Sequence, residues 1–175
     1  IRDRLEEELD EFLSNPTAFG SILSTRKADF DSLSDLVPPF IVNTTCPPLS
    51  EWENRSDRQI DLVSAADELL GVACSPGKVS GTARVILDPN DSDSLQPGDI
   101  LVTENTDPAW TPLFLVAGAV VVNVGAIASH ASIVSRELGI PCVSSVPDAS
   151  LRIPDGATIT VDGSNGTVTI DQLPN

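Results

Sequence analysis

The chain has 175 residues, enough for one domain with a real core plus an appendage. Hydrophobic residues make up 41%, which excludes a disordered protein, and aromatics only 4%, so Val, Ile, Leu and Ala must build the core. The formal net charge of −16 argues against sequence-independent nucleic-acid binding, because 10 Lys and Arg are outnumbered by 26 acids. No apolar stretch reaches the roughly 18 residues of a membrane span. The absence of Met, at position 1 and elsewhere, suggests a fragment or a processed product, from which an upstream targeting segment could be missing.

Residues 1–14 are predicted as an amphipathic helix. Ile1, Leu5, Leu9 and Phe12/Leu13 recur at helical spacing between acids, and Asn15-Pro16 ends the run. Such a helix is marginal alone, so its apolar stripe is expected to pack on something. A second helix is expected over about 28–36, stopped by Pro38-Pro39. Residues 1–40 thus form a helical appendage, and 41–67, rich in Pro, Asn, Thr and charge, a linker.

From Leu69 the character changes to Val, Ile, Thr and Gly, and a domain over 68–172 is expected. Lys78 to Leu87 alternates and is β-branched, so it forms a strand or two. Asp88-Pro89-Asn90-Asp91 is a turn. Asp99 to Thr103 is a short strand, and Ala117 to Val122 reads as a strand buried on both faces. Ser129 to Leu138 is a helix closed by Gly139 at C′, with Pro141 beyond it. Cys142 to Ser145, Ala157 to Val161 and Thr167 to Ile170 are strands, the last two joined by a hairpin turn at Asp162–Gly166. Cys46, Cys74 and Cys142 form no CxxC pair, so neither a disulfide framework nor a metal site is expected. The thiols fit a reducing, cytoplasmic setting.

The chain holds one histidine, His130. It follows a buried strand and a small-residue turn, and it opens a helix with Ser129 as expected N-cap. Free N–H groups and the positive end of the helix dipole lie there and favour a phosphate. Small residues at 125, 126 and 128 let the backbone approach a bulky anion. A neutral imidazole could attack phosphorus and hold the group as a phosphoramidate. One His without a His or Cys neighbour is poor metal-ligand spacing, and no metal ligands are expected. A Ser-His-Asp triad lacks its G-x-S-x-G elbow. The bland alternative is a surface or capping histidine. Arg136 lies one to two turns beyond it and is expected in a surface salt bridge with nearby acids. Trp110 is expected in the core or as a loop anchor rather than against a partner domain.

Residues Gly125-Ala126-Ile127-Ala128-Ser129-His130-Ala131-Ser132-Ile133-Val134-Ser135-Arg136-Glu137-Leu138-Gly139-Ile140-Pro141 resemble the phosphohistidine signature of the phosphoenolpyruvate-utilising enzymes. Ala73 to Ile86 and Thr106 to Phe114 are similar to that family's opening strand segment and mid-domain loop. The family includes phosphoenolpyruvate synthase, rifampicin phosphotransferase and pyruvate phosphate dikinase. The resemblance implies an α/β fold, a swivelling β/β/α phosphohistidine domain behind the N-terminal helical appendage. It implies that His130 is the catalytic residue, with Gly125, Ala126, Ser129 and Ala131 as phosphate-binding positions. It also implies partners on the same polypeptide: an ATP-grasp domain that carries ATP and Mg and phosphorylates His130, and an acceptor domain for pyruvate or a small-molecule hydroxyl. The domain itself is expected to bind no cofactor and, alone, not to turn over ATP, having no Walker loop. Ala126 stands where the family has its second Gly, and Asn123 where it has an acid. These two departures favour the alternative, a non-catalytic interaction module that keeps the fold without the carrier role.

Overall fold

The structure, a computed structural model, describes residues 2–38 and 45–174. The chain divides into two compact units, residues 1–59 and 60–175.

In the first unit, helix α1 (Arg2–Ser14) and helix α2 (Gly20–Ser32) are joined by a 3-10 turn at Pro16–Phe19. Phe12 meets Phe19 edge to face at 5.6 Å, and Arg26 pairs with Glu8 at 2.8 Å. The first expected helix is present. The second starts earlier than 28 and ends in a 3-10 turn at Leu33–Asp35. Its start is invisible in the sequence because Phe19 occupies the N-cap and offers no capping oxygen. Of the expected stripe, Phe12 is packed and Leu9 is 53% exposed, while the side chains of Ile1 and Leu5 lie outside the described residues. Two short strands pair antiparallel: β1 (Leu36–Val37), at the end of the expected helical appendage, and β2 (Glu53–Asn54), in the stretch expected to be a linker.

The second unit contains one eight-stranded mixed sheet. Its strands are β3 (Glu68–Leu70), β4 (Val72–Ser75), β5 (Lys78–Val85), β6 (Ile100–Thr103), β7 (Ala119–Val122), β8 (Cys142–Ser144), β9 (Thr158–Asp162) and β10 (Thr167–Gln172). They lie in the order β3-β10-β9-β5-β6-β7-β8-β4. The pairs β5–β6, β6–β7 and β7–β8 are parallel and the others antiparallel.

Alternation along the central strands sends side chains to two cores. Ile100, Val102, Ala119 and Val121 face the first, against Ile159, Val161, Val168 and Ile170 of the antiparallel half and Val146, Ala149 and Ile153 around helix α5 (Ala149–Arg152). Leu101, Val120 and Val122 face the second, with Trp110, Leu113 and Phe114 around helix α3 (Thr111–Phe114) and Ala131 of helix α4 (His130–Leu138). The layers are therefore β, β and α, as expected. Both faces of β7 are covered, which is why it reads as an unbroken apolar run. The turn between β9 and β10 approaches β4 so closely that a Cβ on Gly163 would sit 1.9 Å from the Ser75 carbonyl oxygen.

Residues 60–67, which the sequence assigns to the linker, lie in this second unit. Val63 is 5% exposed in the first core, its N–H donates to the Arg152 carbonyl at 3.5 Å, and the Ala66 N–H donates to the Ile170 carbonyl at 2.7 Å. No helix of the described residues is long and apolar enough to cross a membrane.

Candidate functional site

The parallel strands β6, β7 and β8 end side by side, and three segments leave from their carboxyl ends. The crevice there is where open α/β sheets place ligands. The segment after β6 carries Thr106 and Phe114, the one after β7 carries His130, and the one after β8 begins with Ser145.

His130 is the first residue of α4, and Gly139 closes the helix in the left-handed conformation at φ 70°. Ser129 is the N-cap, as expected, but its hydroxyl makes no capping bond. It lies 3.1 Å from the Ser132 hydroxyl, and Ser132 donates to the Ala126 carbonyl at 2.7 Å. Because a carbonyl only accepts, the chain of protons runs from Ser129 to Ser132 to Ala126. Among the described residues no acceptor meets the N–H groups of His130, Ala131 or Ser132. They stay open to an oxyanion at the positive end of the helix.

The imidazole is half-buried and held from two sides. The Thr106 hydroxyl lies 2.9 Å from Nδ1, and the Phe114 ring meets it edge to face at 5.8 Å. Nε2 makes no hydrogen bond among the described residues. Thr106 is placed by its own loop, where the Asp107 carboxylate accepts the Ala109 N–H at 2.8 Å and starts the 3-10 turn Pro108–Trp110. Trp110, 5% exposed, anchors that turn in the core, as expected.

The structure separates the expected phosphate-binding positions by what each can contribute. Gly125 sits at a close approach: a Cβ there would meet Ser144 Cβ at 3.0 Å and Ser129 Oγ at 3.1 Å, and both side chains would have to shift by a few tenths of an ångström. Ala126 is exposed, and its carbonyl accepts from both the Ser129 N–H at 2.9 Å and the Ser132 hydroxyl. Ala131 buries its methyl in the second core, which leaves only its backbone N–H for a ligand. Arg136 does not form the expected salt bridge with acids. Its Nε donates to the Cys74 carbonyl at 3.0 Å and its Nη2 to the Ile127 carbonyl, which ties the loop before the histidine to β4.

Sequence reasoning missed Thr106 as a partner of His130. It stands 24 residues away, and only its place in the loop segment Thr106 to Phe114 gave any signal. Cys142 is buried beside α4, and burial pushes its thiol up to about 12. Among the described residues no cluster of three or more His, Cys, Asp or Glu could hold a metal ion.

Fold and site together define a class: a β/β/α domain that presents a single histidine at a helix start, beside the carboxyl ends of its parallel strands. Residues 95–166 match the family model of the PEP-utilising enzyme mobile domain. Over these residues the second unit is similar to that family. The chain is 36% identical over 164 residues to rifampicin phosphotransferase of Bacillus subtilis, a match covering 94% of this chain and 18% of that protein. It is 36% identical over 165 residues to an uncharacterised protein of Mycobacterium tuberculosis, covering 94% and 18%. It is 46% identical over 110 residues to the prodigiosin synthesizing transferase PigC of Serratia marcescens, covering 62% and 12%. The chain thus spans about a fifth of the length of its phosphotransferase relatives, in which the matched region is one part of a larger protein.

Proposed function

We propose that the second unit is the phosphoryl carrier of a larger ATP-dependent phosphotransferase, with His130 as the phosphorylated residue. The observation that carries this reading is the engagement of Nδ1 by Thr106 at the open start of α4. When Nδ1–H donates to the Thr106 hydroxyl, the lone pair of the neutral ring stands on Nε2. That nitrogen attacks phosphorus. The Nε2–P bond forms as the bond from phosphorus to the leaving oxygen breaks, and the oxygen departs with the electron pair. The ring gains positive charge, which the Nδ1–H···Oγ1 bond stabilises. The added phosphoryl oxygens meet the N–H groups of residues 130–132.

In this reading an ATP-grasp domain of the same polypeptide holds ATP and Mg²⁺, and this domain binds neither. The carrier then swings to an acceptor site on another domain and passes the group to pyruvate or to a small-molecule hydroxyl. The name of the Bacillus relative supports a hydroxyl-bearing drug-like acceptor over pyruvate.

The test incubates the full-length protein with ATP labelled at the β-phosphate. Acid-labile, base-stable label is expected on the peptide containing His130, and none in His130→Ala. Label on another peptide, or none while the parent protein is active, overturns the proposal.

A further inference from the structure

Three consecutive carbonyls of the loop before the histidine are each held by a side chain from a different place in the fold. The Gly125 carbonyl accepts from the Ser145 hydroxyl at 2.5 Å. The Ala126 carbonyl accepts from the Ser132 hydroxyl at 2.7 Å. The Ile127 carbonyl accepts from Arg136 Nη2. Ser145 follows β8, and the other two sit in the first and second turns of α4. Exposed loop carbonyls are ordinarily satisfied by water, so three protein donors on three successive residues is a constraint beyond solvation.

A trans peptide is planar, with its C=O and the following N–H pointing in opposite directions. Pinning the carbonyls of 125, 126 and 127 therefore fixes the directions of the N–H groups of Ala126, Ile127 and Ala128. Among the described residues none of these three N–H groups meets an acceptor, whereas the Ser129 N–H is used by the Ala126 carbonyl. Successive free N–H groups in a turn line an anion-binding concavity, and a turn is closed here by the Ser129 N–H on the Ala126 carbonyl. Ser145 also holds its bond from a left-handed backbone, φ 53°, a conformation rarely adopted by a residue with a Cβ. A strained residue whose side chain makes a specific bond into a ligand loop is where function is expected to hold strain in place.

We propose that Ser145, Ser132 and Arg136 are positioning residues for phosphoryl transfer. They clamp the loop carbonyls so that its N–H groups stand as a preorganised cradle for the transferred group. The proposal rests on the carrier reading of His130 and adds to it three side chains that act on the loop carbonyls rather than on the phosphoryl group.

The decisive variant is Ser145→Gly in the full-length protein. Glycine adopts φ 53° without strain, so the substitution removes the hydroxyl while easing the backbone. The melting temperature is expected to hold, and the rate at which ATP labels His130 at saturating ATP is expected to fall about tenfold or more, the scale of loss when a catalytic geometry loosens. Ser145→Ala, which removes the same hydroxyl and keeps the strain, should lose the same rate. Wild-type labelling in Ser145→Gly overturns the clamp. A loss in Ser145→Ala that Ser145→Gly does not share also overturns it, since backbone strain would then be responsible. Absence of label from His130 in the wild-type protein is a different failure, that of the carrier reading itself.

Discussion

Replacing Thr106 by Val tests whether the 2.9 Å contact with His130 Nδ1 serves the chemistry or only the packing. The two side chains have nearly the same shape, so the change removes the hydroxyl and little else. A hydrogen bond between neutral groups contributes about 0.5–1.5 kcal/mol net, and one to a charged group about 1.5–3 kcal/mol. In the carrier reading the ring becomes cationic as Nε2 bonds to phosphorus, and the Thr106 bond moves from the first range to the second. The transition state therefore gains about 1–1.5 kcal/mol over the resting ring. At about 1.4 kcal/mol per factor of ten, Thr106→Val should slow labelling of His130 roughly 5- to 12-fold. Thr106→Ser, which keeps the oxygen, should label near the wild-type rate. Rapid-quench measurement of acid-labile label at saturating ATP reads both. A Val variant as fast as wild type refutes the reasoning, and so does a Ser variant as slow as Val.

Three further outcomes follow from the described contacts. The Asp162 carboxylate accepts from the backbone and side-chain N–H groups of Asn165 and from the Ser164 N–H, with Lys78 nearby, and these donors hold it below the ordinary carboxylate value of 3.8. Because its folded value is the lower one, its stabilisation is complete above that ordinary value and is lost as pH falls through the folded value. The melting difference between wild type and Asp162→Asn should therefore shrink on acidification below about pH 4, and a difference constant down to pH 2 would contradict this. Cys46 is exposed, Cys74 is buried, and Cys142 is buried with its thiol raised to about 12. A thiol-reactive disulfide reagent at pH 8 should thus titrate one cysteine in the native protein and three after unfolding. Ile159 is fully buried in the first core, so Ile159→Ala should cost about 2–5 kcal/mol in denaturant unfolding.

The parts of the fold legible in the sequence are those whose pattern is local. The strand at Lys78–Val85, the buried run at Ala119–Val122 and the hairpin around Asp162–Gly166 carry their period or turn chemistry in adjacent residues. Helix α4 was bounded correctly because Ser129 and Gly139 mark its ends. Helices α3 and α5 have four residues each and depend on the cores beneath them, which no window of sequence shows. The site divides in the same way. His130 and the loop before it were legible as one continuous motif. The Thr106 partnership was not, because two loops meet only once β6 and β7 are paired in register. Arg136 was misassigned because its partners are backbone carbonyls, which every residue offers and no sequence pattern marks.

The two departures from the family signature bear on the non-catalytic alternative only through where they sit. Asn123 is 6% exposed, and its amide works in both directions: Nδ2 donates to the Ser150 hydroxyl at 2.7 Å, and Oδ1 accepts the Ser150 N–H at 2.8 Å. A carboxylate could only accept, and it would carry a buried charge with no cation among these contacts. The amide is therefore the fitting group for holding the start of α5, and none of its hydrogen bonds reaches His130. Ala126 lies in the loop itself, where a Cβ narrows the backbone freedom that glycine would have. In a loop whose neighbouring carbonyls are all held, lost freedom costs nothing in the folded state and removes conformations from the unfolded chain. Both substitutions thus have structural reasons that leave the imidazole, its Thr106 partner and the free N–H groups of α4 in place. The non-catalytic reading must then rest on something other than these two positions.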